Sequence, residues 1–449
     1  MGKSICDFVL RLQYADIPEE VLVVMRRSLL DTIGVAAIGS TTRLSGIVRE
    51  YAREHMPAGS ETPASRLFFS GQAVSPMGAT MAGAFTIDSI DAHDGYSKVK
   101  GHAGSAVLPA VLALVDSLRR QSRPVSGRDV LVALLVGYEV SYRSGLTLHA
   151  TVPDYHTSGA WTAVGVAAAA ARLLGLDDER LRHAMGIAEY HGPRSQMMRC
   201  IDHPSMVRDG VGWGAPSGIS AAYLAEKGFT GAPAITAEGD SATPFWSDLG
   251  ERWEVSNTHY KAYPVCRWAH PAIDAVQDLM RENDLSSEDI ERAKINTFHY
   301  ATRLAGHEPK TLDELTYALA YPFAIMAVHG QIGPAELSER ILDDVEVQRI
   351  SKATEIVDDE HYTLISIDQR WADVTLILKD GRELKSDART PRGDPDDPLS
   401  DEEISAKFHL FADPVVGESR ANSIEQLSAK IDQKDFDLDR YLDLILDAV

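Results

Sequence analysis

The sequence predicts a mainly α-helical protein of two domains, with an α+β segment in its C-terminal third. Three observations carry this reading. The chain has 449 residues, more than one hydrophobic core usually organises. Up to about residue 260, apolar residues recur three and four apart, with glycine or proline at the breaks. Beyond Pro264 the pattern changes to short alternating runs bounded by turn residues. Hydrophobic residues make up 44% and charged residues 24% of the chain, which sets aside disorder, collagen and membrane embedding.

Ile17-Pro18-Glu19-Glu20 opens a helix over Val21 to Ile38, its acidic first turn complementing the helix dipole. Similar patterns run over Met77 to Ile90, Ser105 to Leu118, Gly127 to Leu146, Trp161 to Leu174, Asp178 to Ala188 and Gly218 to Lys227. The most apolar stretch, Ala160 to Ala171, stops at Arg172. It falls short of the ~20 residues of a membrane span, and its small residues suit a helix packed closely on its neighbours. A helix is expected from His270 to Glu282 and a strand over Ala293 to Tyr300. Arg370 to Leu378 and Glu383 to Ser386 flank Asp380-Gly381, a strong hairpin signal. Pro391 to Pro398 reads as a loop, and helices resume from Ser400 to the C-terminus.

With 44 basic and 66 acidic residues, the formal charge is −22. Nucleic-acid binding and adhesion to anionic membranes are therefore not expected, since both need a cationic footprint. Cys6, Cys200 and Cys266 lie far apart without a C-x-x-C pattern, so no disulfide framework or cysteine-based metal motif is expected. Together with a first segment that lacks a cationic and apolar leader pattern, this suggests a cytoplasmic protein.

Four loops concentrate chemistry-bearing side chains. The first holds Asp88, Asp91, His93, Asp94, Lys98, Lys100 and His102; the second, Asp154-Tyr155-His156. The third runs from Arg194 through Arg199 and His203 to Arg208, and the fourth carries Lys261, Cys266, Arg267 and His270. Histidines, amines and carboxylates gathered this way supply acid, base and carboxylate-binding groups. Asp91, His93, Asp94 and His102 are competent metal ligands, yet no strong ligand spacing occurs, so no metal is expected. A nucleophile elbow, a dinucleotide fingerprint and a phosphate loop are all lacking. Acid–base chemistry without a cofactor is what survives.

At these loops the sequence resembles the MmgE/PrpD family. The early helix carries Leu29-Leu30-Asp31-Thr32-Ile33-Gly34, and Asp91-Ala92-His93-Asp94 with His102 and Val107-Leu108-Pro109-Ala110 follows the family's D-x-D-D…H…V-L-P-A block. Tyr155-His156-Thr157, Ala221-Ala222-Tyr223-Leu224-Ala225 with Gly228-Phe229-Thr230-Gly231, and Lys261-Ala262-Tyr263-Pro264-Val265-Cys266 with His270 match in order. Tyr321 with Gly330, and Gly393-Asp394-Pro395 through Lys407-Phe408, complete the series.

The resemblance implies an all-helical domain over residues 1–262 and 400–449 with an inserted α+β domain over 263–399. It also implies a homodimer and a cofactor-independent site for a small di- or tricarboxylate. The expected reaction is dehydration or hydration by proton abstraction alpha to a carboxylate. Epimerisation is the enzymatic alternative, and an inactive organic-acid binder the non-enzymatic one. Carried over by position, His102 or His156 is the acid–base group, Tyr321 a proton donor and Lys261 a carboxylate clamp; a one-residue shift lets Arg208 replace the family's lysine as a second clamp. Asp91 and Asp94 orient these groups, and His93, Arg199, Arg267 and His270 join the substrate-binding set. One departure stands out: Val207-Arg208-Asp209-Gly210 occupies the place of the family's K-x-x-H-x-G lysine region, and His93 stands where an aspartate is usual.

Overall fold

In the computed structural model, which describes residues 2–59, 63–304 and 306–449, the expected helices form with extended ends. They span Glu19–Gly39, Pro76–Asp88, Gly104–Arg120, Gly127–Thr151, Gly159–Leu174, Asp178–His191 and Val211–Glu226. Their starts follow local chemistry. Ser75 accepts from the Gly78 backbone ahead of Pro76, Ser126 and Asp129 cap each other reciprocally, and Asp177 accepts from the Arg180 backbone. A further helix, Arg43–His55, was not anticipated from the pattern; Thr42 caps it through the Ser45 N–H, and it buries only Leu44, Ser45 and Ala52.

The Gly159–Leu174 helix is buried nearly all round and packs against Gly127–Thr151 and Val211–Glu226. Small residues make this possible. A Cβ at Gly165 would lie 1.9 Å from Ser141 Oγ and 2.3 Å from the Gly137 carbonyl. The first apolar core grows around this crossing, and Phe408, Phe411, Ile424, Tyr441 and Leu446 from the C-terminal helices join it.

A second core gathers side chains from Tyr263 to Leu378, with Met197, Cys200 and Ile201 contributed from the helical part. Its sheet has the strand order Thr354–Asp358, Ile290–Thr297, Ala372–Leu378, Glu383–Lys385. The first pair is parallel and the other two are antiparallel. The hairpin turns at Asp380-Gly381, where Gly381 takes φ 88°, a conformation that favours glycine. The strand expected over Ala293 to Tyr300 starts earlier and gives way to a helical turn at His299. The edge strand Thr354–Asp358 was missed: five residues with little alternation leave no period to read. The chain then returns through Asp401–Val416, which packs along Glu19–Gly39, so the helices that follow the sheet rejoin the first core. No helix among the described residues is long and apolar enough to cross a membrane.

The return is secured by a buried ion pair. Lys407 Nζ donates to Asp31 Oδ1 at 2.6 Å and to the Ala92 carbonyl at 2.8 Å. Burial pushes the Asp31 carboxyl up and the Lys407 amine down, so each charge depends on the other. Lys407→Ala should destabilise the protein by about 3–5 kcal/mol, and the double variant Asp31→Leu/Lys407→Met should recover most of that. Urea unfolding measures both; equal losses in the two variants would contradict the pairing. Gly165→Ala should cost about 1–3 kcal/mol through forced separation of the helices, read in the same assay.

Candidate active site

The loop after the Pro76–Asp88 helix runs along the seam between the two cores. It is met there by Tyr155, Asp209, the 259–268 segment and, from the α+β domain, Tyr317 and Arg370. Together they line a cleft with ≈ 50 Å³ of free space, room for a few water molecules. Six non-glycine residues among those described take a left-handed φ, and three of them, Asp91 at 52°, Lys100 at 54° and Arg208 at 48°, belong to the segments forming this site. Such strain persists where surrounding contacts over-determine the backbone.

His102 is held two residues before the Gly104–Arg120 helix. Its backbone N–H donates to Ser158 Oγ at 2.9 Å, and its Nδ1 lies 2.5 Å from the Asp94 carbonyl oxygen. A carbonyl only accepts, so Nδ1 carries the proton and Nε2 keeps a lone pair. Burial, with Lys261 adding repulsion, holds the ring well below the usual histidine range. The imidazole is thus neutral at neutral pH, with the Nε2 lone pair free to accept a proton. Asp94 lies behind it, with Oδ2 accepting from Tyr138 at 2.8 Å. His93 packs edge-on at 4.3 Å between ring centroids.

Lys261 is buried and donates to the Asp91 carbonyl at 2.8 Å and to the Asp91 carboxylate. Arg267 Nη2 donates to Asp394 Oδ1 at 2.5 Å, while its Nε and Nη1 are buried without partners. Arg370 is buried on carbonyl oxygens alone: Gln369 at 2.7 Å, and Ser366 and Ser97 at 3.3 Å each. Lys100 Nζ lies 5.3 Å from the Tyr155 ring centroid. Asp209 accepts from the Ser158 backbone at 3.1 Å and from its hydroxyl. Burial and the neighbouring Asp88 push the Asp209 carboxyl well up, and burial takes Asp88 itself to about 7.

Asp91, His93 and His102 bring ligand atoms within 4.8 Å of one another, a donor set suited to a transition ion. The Lys261 ammonium on Asp91 and the nearby charges of Lys407 and Arg208 oppose a further cation there.

The structure therefore brings Asp91, His102, Lys261 and Arg267 together in the cleft, with Asp94 and His93 directly behind. The other expected site residues do not line it. Tyr321 turns into the second core and donates to the Ile341 carbonyl at 2.7 Å. His156 Nδ1 rests on the Asp154 carbonyl at 2.8 Å, and His270 Nε2 on the Val265 carbonyl at 3.1 Å. Arg199 is exposed. Arg208 points away from the cleft to Thr316, Ser89 and Asp313, which leaves Asp209 facing it. Tyr317, His259 and Arg370 were missed. Tyr317 lies four residues before Tyr321, in the break between the Leu312–Thr316 and Ala320–His329 helices, and was available to the same reading, whereas Arg370 at a strand entrance gives no sequence signal.

The chain matches the MmgE/PrpD N-terminal domain over residues 3–248 and the MmgE/PrpD C-terminal domain over 263–433. It belongs to the MmgE/PrpD family. Similar proteins include the cis-aconitate decarboxylase of Aspergillus terreus strain NIH 2624, 26% identical over 96% of this chain and 93% of that protein. The human cis-aconitate decarboxylase is 25% identical over 92% of this chain and 88% of its own length. A cis-aconitate decarboxylase-like protein of Aspergillus oryzae is 24% identical over 94% of this chain and 92% of its own length.

Burial, with Asp31 adding repulsion, pushes the Asp94 carboxyl up to about 7. A carboxyl raised in the folded state contributes stability while protonated and loses it as pH rises through the folded value. Between pH 6 and 8 the wild type should lose about 1.4 kcal/mol more unfolding free energy than Asp94→Asn. Parallel stability profiles for the two proteins would contradict the shift.

Proposed function

We propose that the protein is an organic-acid lyase that removes a proton alpha to a carboxylate of a small polycarboxylate, in dehydration or its reverse. The observation that carries this is the unprotonated Nε2 of His102 in the same cleft as Arg267, whose buried Nε and Nη1 have no partner among the described residues. The unpartnered guanidinium edge suits a substrate carboxylate and the enolate-like charge that grows on it. His102 Nε2 takes the carbon-bound proton, and the electron pair forms the carbon–carbon double bond as the carbon–oxygen bond breaks. Asp209, kept protonated by burial, supplies the proton with which hydroxide leaves as water. Lys261 neutralises Asp91 and holds its loop. Each role has a side chain of this chain, so the reading invokes no cofactor.

The names of the similar proteins favour a second reading, decarboxylation of an unsaturated acid, which places the same developing charge beside Arg267. Epimerisation starts from the same abstraction. The three separate by product: conjugated alkene absorbing in the ultraviolet, carbon dioxide, or inverted configuration alone.

Incubation with di- and tricarboxylates in deuterated water should exchange an alpha proton in at least one acid; a panel without exchange, water loss or carbon dioxide release would overturn the enzyme reading. His102→Asn should lower activity by about 10²–10⁴. His156→Ala should stay within about tenfold of wild type, since its ring is outside the cleft. The reverse ranking in steady-state rates would move the base to His156.

A further inference from the structure

Resting on the organic-acid reading, we propose that the cleft selects small dicarboxylates over mono- and tricarboxylates, with Lys100 and Arg370 as the specificity-determining cations. A count of charge carries the argument. Four cations line the cleft: Lys100, Lys261, Arg267 and Arg370. Two carboxylates answer them, Asp91 on Lys261 and Asp394 on Arg267. Four against two leaves two positive charges, and they lie on Lys100 and Arg370, neither of which has a carboxylate within ion-pair distance among the described residues; Asp368 and Asp394 act on them only from farther off. The third acid of the cleft, Asp209, adds no charge to the count, since burial and the neighbouring Asp88 favour its protonated form.

A buried guanidinium without a counter-ion is costly. Arg370 sits on three carbonyl oxygens, which satisfy hydrogen bonds, while the Asp394 carboxylate that acts on it from farther off is already paired with Arg267. A ligand of net charge −2 completes the balance. One of charge −1 leaves a buried cation unpaired, and one of charge −3 brings an unmatched anion into a desolvated space.

Position and size point the same way. An outer cavity of ≈ 310 Å³ shares Lys100, Tyr155, Trp268 and Arg370 with the cleft. The two unpaired cations therefore stand where the outer cavity meets the inner one, where a local positive field draws anions inward despite the acidic whole. The inner space of ≈ 50 Å³ favours a short dicarboxylate over the bulk of a third carboxylate arm.

Equilibrium binding of acids that do not react tests this without turnover. In calorimetric titrations of the full chain, succinate should bind about tenfold or more tightly than butyrate and than tricarballylate. Lys100→Gln should weaken succinate by about tenfold and butyrate by less. The half-buried Lys100 carries no structural ion pair, so this variant keeps the fold; Arg370→Gln should act alike, with circular dichroism confirming its fold. Tricarballylate binding as tightly as succinate, or succinate unaffected by Lys100→Gln, would overturn the proposal. Succinate preference without proton exchange in any acid would instead remove the acid–base reading and leave the charge selectivity standing.

Discussion

The structure depends on balanced charge in a dry seam. Lys407 on Asp31 and Lys261 on Asp91 are buried ion pairs whose members come from four segments distant in sequence. Lys407 reaches in addition to the Ala92 carbonyl and Lys261 to the Asp91 carbonyl. Both ammonium groups thus bind the backbone of one short stretch as well as a carboxylate. Removing water from an ion costs several kcal/mol, so each lysine commits its segment to the place where its oxygen ligands are. That commitment draws the Asp401–Val416 helix, the Glu19–Gly39 helix and the 259–268 segment onto the loop that bears His102.

The same dryness sets the chemistry. His93, His102, His259 and His270 are all held well below the ordinary histidine range, burial being the first cause in each. Carboxyls move the other way, Asp88 and Asp94 to about 7. Neutral imidazoles and protonated carboxyls can therefore coexist near pH 7, where in water the carboxyls would be ionised and part of the imidazoles charged.

Much of the fold was legible in the sequence. Periodicity located the seven main helices of the first domain to within a few residues, save the last, which starts earlier than its pattern, because each has a face committed to one core. The hairpin at Asp380-Gly381 was legible because a two-residue turn is local chemistry. The strand Thr354–Asp358 was not, since its parallel pairing with Ala293 to Thr297 is made by a segment about sixty residues away. Of the residues that line the cleft, Asp91, His102 and Lys261 were expected through motif resemblance and Arg267 through the cationic loop that carries it. Tyr321 and His156 were carried over by the same resemblance, yet neither lines this cleft.

The sequence by itself determined the helical framework, the family and the set of loops that carry charge, because these follow from local pattern and from residue identity. Only the tertiary structure decided which side of each loop faces the cleft. At Arg208-Asp209 a left-handed φ at Arg208 sends the guanidinium to Asp313 and Thr316 and leaves the carboxyl beside the cleft. At Arg370 the packing of the sheet-bearing segment brings a cation to a seam that nothing around it in the sequence marks as a site. Side-chain direction and charge balance belong to the packed state, since both depend on which distant groups share the same water-free space.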